Sequence, residues 1–399
     1  MTRIDRIELH RVRLPLVHRF QTSSHAKTEL EHILVRLTDG DGAEGWGEIA
    51  SPSGPFYSAE TVETCWSVAV DHLVPIVLGT DWEHPGELAR AMARVRGNRF
   101  ARAGFDMAAW ALWSLRRGVP LARALGGGRD TVEAGVSLGI EPGIDALLEQ
   151  VGLRVAEGYR RVKLKIAPGW DVEPVRAVRA AFPGVPVHVD ANGVYEDTEE
   201  HHAILRELDG CGLLMVEQPF APSALLAHAR LQRTMETPVC LDESVEDPED
   251  LNTALALGAG RVLNIKVSRM GGLTQAVRAH DIARDHGVPV WCGGMHEFGV
   301  GRAANVALSS LPGFTLPSDV SGSDKYYARD ITTEPVVCTG GTVRVPSRPG
   351  AGWVPDTGFL RTVATRSLVR EASAAAVRAP APHREETPPR VVAHGRRRR

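Results

Sequence analysis

The first 50 residues alternate hydrophobic and polar positions, as strands do when they bury a single face. The candidate strands span residues 4–13, 32–38 and 45–48, with an Asp-Gly-Asp-Gly turn before the last of them. Apolar residues then recur at helical spacing over residues 58–78, 85–96 and 101–115. Antiparallel strands followed by helices predict an α+β domain over residues 1–128.

The pattern changes after residue 128, where short β-rich runs alternate with helical segments. The runs cover residues 135–140, 161–166, 185–190, 213–217, 239–243, 262–267, 288–292 and, less clearly, 314–317. Eight strands alternating with helices predict a parallel β/α barrel over residues 129–318, although the periodicity also fits an open, doubly wound sheet.

After residue 318 the alternation stops. Residues 336–345 and 349–353 have the pattern of strands and turns, and we expect the segment 319–363 to return to the first domain. Residues 364–399 are rich in Ala, Pro and Arg with little to bury, so we expect this tail to be disordered. A solvated tail is favoured over an arm that binds nucleic acid or a protein partner.

The formal net charge of -3 is unevenly distributed, because residues 366–399 hold nine arginines and only three glutamates. The remaining chain is acidic, which argues against a nucleic-acid scaffold held by phosphate contacts. Five well-separated cysteines without a CxxC pair indicate neither a disulfide framework nor a zinc site. The sequence shows no signal peptide and no membrane-spanning run, so we expect a cytoplasmic protein without a membrane partner.

Charged residues interrupt five consecutive predicted strands near their carboxyl ends. They are Lys163 and Lys165, Asp190, Glu217, Asp242 and Lys266. Counted from Lys163, successive positions are 27, 27, 25 and 24 residues apart, which is one βα unit each time. Because the carboxyl ends of barrel strands converge on one face, we expect all six side chains to meet there.

The three acids, Asp190, Glu217 and Asp242, predict a magnesium site. One acid alone could simply cap the helix that follows its strand. Three buried carboxylates on consecutive strands would repel one another unless a hard cation lies between them. Oxygen ligands favour Mg²⁺ over zinc, with Mn²⁺ or another divalent metal as a substitute.

The lysines predict acid–base chemistry. Lys163 and Lys165 are two positions apart and therefore face the same side of their strand; the alternative is an exposed edge strand with two solvated lysines. A neighbouring ammonium and a divalent cation would lower a lysine pKa from its ordinary ~10.4, which allows the lysine to act as a base near pH 7. Lys266, three strands further along, would approach a bound substrate from the opposite side.

These motifs resemble those of the muconate-lactonizing branch of the enolase superfamily, over nearly the whole chain up to about residue 356. They are Lys163-x-Lys165, Asp190 with Asn192, Glu217-Gln218-Pro219, Asp242-Glu243-Ser244 and Lys266. Residues 289–295, 299–303 and 311–319 are similar to the group of o-succinylbenzoate synthases and N-succinylamino acid racemases.

The resemblance implies a (β/α)7β barrel, a modified TIM barrel, under an α+β cap built from both chain ends. It implies Mg²⁺ ligation by the three acids and acid–base roles for Lys165 and Lys266 on opposite substrate faces, with Lys163 in support. Residues implied at the substrate are Ser137, Asn192, Arg269, Gly293, Gly294, Met295, Phe20 and Tyr57. Ordinary cap packing is an equal alternative for the last two, and a solvated position is the alternative for Arg269.

His296 departs from the pattern, because an apolar residue is expected after Met295 in this group. The polarity of that pocket wall is therefore open, and a structural role is the simpler interpretation of this histidine. The cyclic substrate of a synthase and the N-acyl amino acid of a racemase both remain candidates, because the same two lysines can serve either reaction.

Three further functions are disfavoured. A dipeptide epimerase is expected to pair two aspartates where this chain has Asp319-Val320-Ser321, and a mandelate-racemase-like mechanism needs a His-Asp pair in place of Lys266. A non-catalytic Mg²⁺-binding scaffold would not need lysines on both faces. We expect an enzyme that acts on a small carboxylate, forms a homo-oligomer and binds no nucleic acid.

Overall fold

Both ends of the chain build one antiparallel sheet, in a computed structural model that describes residues 1–21 and 26–372. Its strands are β1 (Ile4–Gln21), β2 (Ala26–Asp39), β3 (Glu44–Ile49) and, from the other end of the chain, β14 (Ala364–Glu371). The order is β14-β1-β2-β3, and Leu9 of β1 lies between Val35 and Leu368. The alternation predicted for residues 4–48 therefore forms the cap sheet.

Strand β14 corrects the prediction that disorder begins at residue 364. Residues 364–371 pair with β1, and Leu368 packs against the hydrophobic core of the cap. Strand β14 lies at the edge of the sheet and packs one apolar side chain, that of Leu368, against the core. The composition of the whole tail is polar on average, and this average concealed the short strand. The remainder of the predicted tail, residues 373–399, lies outside the described residues.

The cap helices follow the three N-terminal strands. They are α1 (Val62–Val68), a π-helical turn (Ala69–Leu73), α2 (Val74–Leu78), α3 (Pro85–Met92), α4 (Arg99–Arg116) and α5 (Leu121–Ala124). Helix α4 lies directly on β3, where Gly47 meets Gly104. A Cβ atom on Gly47 would stand 2.0 Å from the Gly104 carbonyl oxygen, so this close contact requires glycine.

Seven parallel strands form the barrel sheet, in the order in which they follow one another along the chain. They are β5 (Gly135–Leu138), β6 (Arg161–Lys165), β7 (Val187–Asp190), β8 (Val216–Glu217), β9 (Val239–Leu241), β10 (Val262–Ile265) and β11 (Val290–Cys292). The predicted eighth strand appears as single bridges, from Phe314 to Val290 of β11 and from Ser318 to Ala134 beside β5. The segment therefore closes the barrel without a continuous ladder.

Helices cover the outside of this sheet. They are α6 (Ile144–Ala156), α7 (Val172–Ala181), α8 (Glu199–Glu207), α9 (Leu225–Thr234), α10 (Pro248–Leu257), α11 (Leu273–Asp285) and α12 (Gly299–Ser309), with a short 3-10 helix (Leu208–Cys211) after α8. The largest hydrophobic core lies between these helices and the strands. The predicted βα repeat is confirmed, and the fold is α/β with an antiparallel cap.

The segment after the barrel divides between the two layers. Strands β12 (Cys338–Thr339) and β13 (Thr342–Arg344) pair with β4 (Thr131–Glu133) beside the barrel, and Val343 packs in the barrel core. This differs from the expected return of residues 336–345 to the cap, because the apolar side chains of Val336, Val343 and Val345 pack in the barrel core. A 3-10 helix (Ser323–Lys325) and α13 (Thr357–Val363) flank this sheet, and Tyr327 and Leu360 pack against the cap.

Two further expectations concern the chain as a whole. All five cysteines are free thiols, as their spacing indicated. In the part of the chain that the structure describes, no helix has both the length and the apolar character needed to cross a bilayer.

Candidate active site

The carboxyl ends of β6 to β10 bring together the six charged side chains that the sequence singled out. All are buried: Lys163, Lys165, Asp190, Glu217, Asp242 and Lys266. Parallel pairing places Lys165 opposite Asp190 and Asp190 opposite Glu217, so each charge lies one strand from the next. The convergence predicted from the spacing of one βα unit is therefore observed.

Lys163 connects two of the acids. Its Nζ atom lies 2.9 Å from Asp190 Oδ2 and 3.0 Å from Glu217 Oε2. Burial and the negative charge of Asp190 raise the pKa of Glu217 to about 7. Burial alone would lower the pKa of Lys163, but Asp190 and Glu217 hold it well above its ordinary value. The Lys163 ammonium group therefore compensates the negative charge of the crowded Asp190 and Glu217 carboxylates.

Lys165 lies on the cavity side of the same strand. Its Nζ donates to Asp190 Oδ2 at 2.5 Å and to Asn192 Oδ1 at 2.6 Å. The Nδ2 group of Asn192 in turn donates to Glu243 Oε1 at 2.9 Å. Burial and the adjacent Asp242 charge raise the pKa of Glu243 to about 8. Asn192 thus fixes the position of the Lys165 ammonium.

Lys266 follows β10 on the opposite wall. Its Nζ lies 2.8 Å from Asp242 Oδ2 and donates to the Tyr57 hydroxyl at 2.8 Å. Burial would lower the pKa of Lys266, but Asp242 raises it above its ordinary value. The carboxylates thus outweigh the repulsion between neighbouring ammonium groups at Lys163 and Lys266, and the lowered lysine pKa expected beside a bound divalent cation stays a prediction.

Arg269 is 2 % exposed, which excludes the solvated alternative. Its guanidinium donates to Asp242 and, at 3.1 Å, to the Tyr57 hydroxyl. It also donates to the backbone carbonyl oxygens of Asn264 at 2.7 Å and Val245 at 3.0 Å. These contacts hold Asp242 and Tyr57 in place from behind the cavity wall.

The three acids offer an oxygen-only donor set. Among residues 1–21 and 26–372, no three His, Cys, Asp or Glu side chains stand together as a group ready to hold a metal ion. Each acid instead accepts hydrogen bonds from a lysine or an arginine, as at Lys163, Lys165, Lys266 and Arg269. Their burial, mutual repulsion and hard oxygen atoms still fit Mg²⁺ in chemical terms, and the ligand set stays a prediction.

A cavity of about 180 Å³ lies between these strand ends and the cap. The three lysines line it together with six of the predicted substrate residues, Phe20, Tyr57, Ser137, Asn192, Gly294 and Met295. Arg269 and Gly293 do not line it. A Cβ atom on Gly293 would lie 2.3 Å from Asn264 Oδ1, so Gly293 makes room for Asn264, whose amide donates to Glu217 Oε1 at 2.8 Å.

His296 also lines this cavity. Its backbone has φ of 62°, and its ring packs against Phe20 at 4.5 Å and Tyr326 at 4.8 Å between centroids. Burial and the nearby cation of Lys27 hold the pKa of His296 well below its ordinary value. Its buried Nδ1 atom has no hydrogen-bond partner among the described residues. The wall expected to be apolar therefore carries a neutral imidazole.

Sequence reasoning missed five charged residues that line the cavity: Lys27, Glu243, Glu297, Arg302 and Asp319. Asp319 accepts a hydrogen bond from Arg161 at 2.9 Å and lies 3.8 Å from Lys163. The sequence could have indicated Asp319 by its position directly after the closing segment of the barrel. The signal for Lys27 was the rarity of lysine in this chain. No periodic pattern in the sequence shows that a cap side chain such as that of Lys27 points toward the barrel.

A capped β/α barrel with lysines on opposite walls of one cavity and buried carboxylates between them defines a class of enzymes that remove a proton beside a carboxylate. Residues 146–358 match the family described as "Enolase C-terminal domain-like", and residues 6–126 match "Mandelate racemase / muconate lactonizing enzyme, N-terminal domain". The chain belongs to this family, within the enolase superfamily, which confirms the resemblance seen in the motifs.

Individual relatives agree with this assignment. An o-succinylbenzoate synthase from Geobacillus stearothermophilus is 46% identical over 88% of this chain and 94% of its own length. An N-succinylamino acid racemase from Amycolatopsis sp is 44% identical over 92% of this chain and 99% of its own length. A crystal structure of an enolase superfamily member from Listeria innocua has a TM-score of 0.90 at 32% identity, covering 94% of this chain and all of that one.

Proposed function

We propose that this chain is an o-succinylbenzoate synthase of menaquinone biosynthesis. Its reaction would be the syn-dehydration of 2-succinyl-6-hydroxycyclohexadiene-1-carboxylate to o-succinylbenzoate. The observation that carries the proposal is that Lys165 and Lys266 line one cavity from strands separated by β7, β8 and β9. Several relatives of 40% to 46% identity that are named for this reaction support the choice of substrate.

The two lysines on opposite walls of the cavity would have different roles in the reaction. Lys165, positioned by Asn192, would take the proton beside the substrate carboxylate. Lys266, positioned by Asp242 and Tyr57, would stabilise the charge that develops before the hydroxyl group leaves. The cap residues above the cavity would exclude water from the intermediate.

Asp190, Glu217 and Asp242 are the residues that would hold a divalent metal ion. Members of the enolase superfamily use such an ion, typically Mg²⁺. When bound, the ion neutralises the crowded carboxylates and accepts negative charge from the substrate carboxylate. Burial and the charge of Asp190 raise the pKa of Glu217 to about 7, which supports a role for a further cation beside this carboxylate.

N-succinylamino acid racemase is the second candidate, either as a side activity or as the main one. Racemisation needs proton removal on one face and delivery on the other, and the opposed positions of Lys165 and Lys266 meet that need. The identity of 44% and 45% to two relatives named as racemases supports it equally. The contacts of Arg269 favour neither reaction, because its guanidinium binds Asp242 and does not line the cavity.

The test is to supply both substrates to the purified protein with Mg²⁺. We expect conversion of the cyclohexadiene carboxylate to o-succinylbenzoate, loss of that activity on chelation and its return on re-addition of Mg²⁺. Racemisation of an N-succinylamino acid is measured in the same preparation. Racemisation without any dehydration would refute the synthase assignment and leave the racemase.

A further inference from the structure

Lysine is rare in this chain. Of the 46 lysines and arginines, only five are lysines: Lys27, Lys163, Lys165, Lys266 and Lys325. Three of them carry the proposed chemistry, Lys27 lines the same cavity, and Lys325 donates to the backbone of the cavity residue Ser137. Because arginine serves as the cation elsewhere, a lysine marks a position where a compact ammonium is needed instead of a planar guanidinium.

Lys27 differs from the other four lysines in its surroundings. Lys163, Lys165 and Lys266 each contact a carboxylate, and Lys325 Nζ donates to the Ser137 carbonyl oxygen at 2.7 Å. Within the described ranges, the side chain of Lys27 makes no hydrogen bond and no ion pair, although its backbone pairs with Phe20 in the cap sheet. It is half-buried on β2, at the cap side of the cavity.

The surroundings of Lys27 leave its charge uncompensated. Burial, followed by the positive charges of Lys266 and Lys165, lowers its pKa to about 8, and Glu297 opposes this only weakly. Glu297 is itself engaged, since its Oε2 atom accepts the Met295 backbone N–H at 2.9 Å. A ligand anion at this place would supply the partner that the described residues do not.

A second unpaired group lies on the same wall. The buried Nδ1 atom of His296 has no partner among the described residues, and the ring is neutral because Lys27 and burial disfavour its protonated form. In the tautomer that carries hydrogen on Nδ1, a neutral imidazole donates one hydrogen bond. Lys27 and His296 together therefore offer a charge and a hydrogen-bond donor for which the described residues supply no acceptor; we call this pair the distal site.

We propose that the distal site binds a second carboxylate of the substrate, the terminal one of the succinyl group, and that Lys27 supplies the charge that recognises it. The inference rests on the proposed function, in which the first carboxylate lies at the strand ends with Lys163 and Lys165. Lys325 positions Ser137 and does not line the cavity. Arg302 lines it, but its guanidinium donates to the backbone carbonyl oxygens of Ser321 and Glu297, so the recognition falls to Lys27. The enzyme is then selective for succinyl groups over uncharged acyl groups of equal length.

Ligand binding tests this without relying on turnover. The probes are o-succinylbenzoate and 2-butanoylbenzoate, which has a methyl group in place of the terminal carboxylate. Titration calorimetry with the Mg²⁺-loaded protein should show tighter binding of o-succinylbenzoate. Lys27→Met should weaken that binding by about 10- to 100-fold, the loss of one hydrogen bond between charged groups, and leave 2-butanoylbenzoate within about twofold.

Four further substitutions serve as controls for the effect of Lys27→Met. Arg13→Met removes an exposed cation from the same sheet, and its o-succinylbenzoate affinity should not change. Lys27→Arg should keep part of the preference, and Lys27→Gln repeats the test if the methionine variant unfolds early. Lys325→Met should weaken both probes equally, because it acts through Ser137.

The outcomes separate the two proposals. Equal affinity of the parent protein for both probes, or loss of the preference in Lys325→Met but not in Lys27→Met, would overturn the assignment of Lys27. Failure of the parent protein to bind either probe would instead overturn the proposed function on which the inference rests.

Discussion

Replacing Lys266 with methionine should separate the catalytic role of this lysine from its structural one. Lys266 donates to Asp242 and to Tyr57, and Arg269 donates to both of the same groups. Asp242 therefore keeps a cationic partner in the variant. We expect the free energy of unfolding to fall by only about 1.5 to 3 kcal/mol, the value of one hydrogen bond to a charged group.

The loss of catalysis should be larger. A positioned acid or base contributes on the order of 10² to 10⁴ in rate, or about 3 to 5.5 kcal/mol of transition-state stabilisation. The assay follows each enantiomer of an N-succinylamino acid separately in deuterated water, with proton exchange and chirality measured together. Lys266→Met should abolish racemisation but allow one enantiomer to exchange its α-proton with solvent.

Lys165→Met is the matched variant on the opposite wall. Its surviving exchange should favour the other enantiomer, because the remaining lysine reaches the other face of the α-carbon. Racemisation by Lys266→Met at near the parent rate would refute the opposed-lysine argument. Circular dichroism on both variants ensures that a lost activity is not a lost fold.

Three other predictions follow from the fold and the acids. Changing each predicted metal ligand to alanine should remove Mg²⁺-dependent turnover by at least about 10²-fold, measured with and without chelator; unchanged activity in all three would contradict the metal site. Gly47→Ala should cost more than about 3 kcal/mol in denaturant unfolding, whereas Gly184→Ala, with open space around it, should be neutral. Truncation after Val363 removes β14 and should cost about 1 kcal/mol from the burial lost at the partly buried Leu368, whereas truncation after Ala372 should leave the melting temperature unchanged; equal effects would refute a role for β14.

The chain order of the barrel was accessible from the sequence because its strands are short, apolar and one βα unit apart. The polar residue that ends each strand could be placed at the same face without coordinates, since parallel strands point the same way. Lys165, Asp190 and Lys266 were therefore found from spacing alone. What spacing could not supply was the balance of charges among these side chains, in which the carboxylates raise the pKa of Lys163.

The cap was harder to read because its contacts link distant parts of the chain. Leu368 is positioned against the cap core by the pairing of β14 with β1, in which its partner Leu9 lies more than three hundred residues earlier in the chain. Lys27 lies on a strand whose burial pattern gives no sign that this side chain lines the cavity between the cap and the barrel. Arg269 had two interpretations of equal weight, and only the position of Asp242 beside it decided between them.

The sharing of the cap sheet between both chain ends affects the order in which a newly made chain assembles. Strands β5 to β11 pair with neighbours that leave the ribosome in sequence, so the barrel can form while synthesis continues. One edge of β1 stays unpaired until β14 has been made. The apolar face around Leu14 is covered only after Tyr327 and Leu360 have been made. The cap sheet above the cavity is therefore completed only after the barrel strands that carry Lys165 and Lys266 have been made.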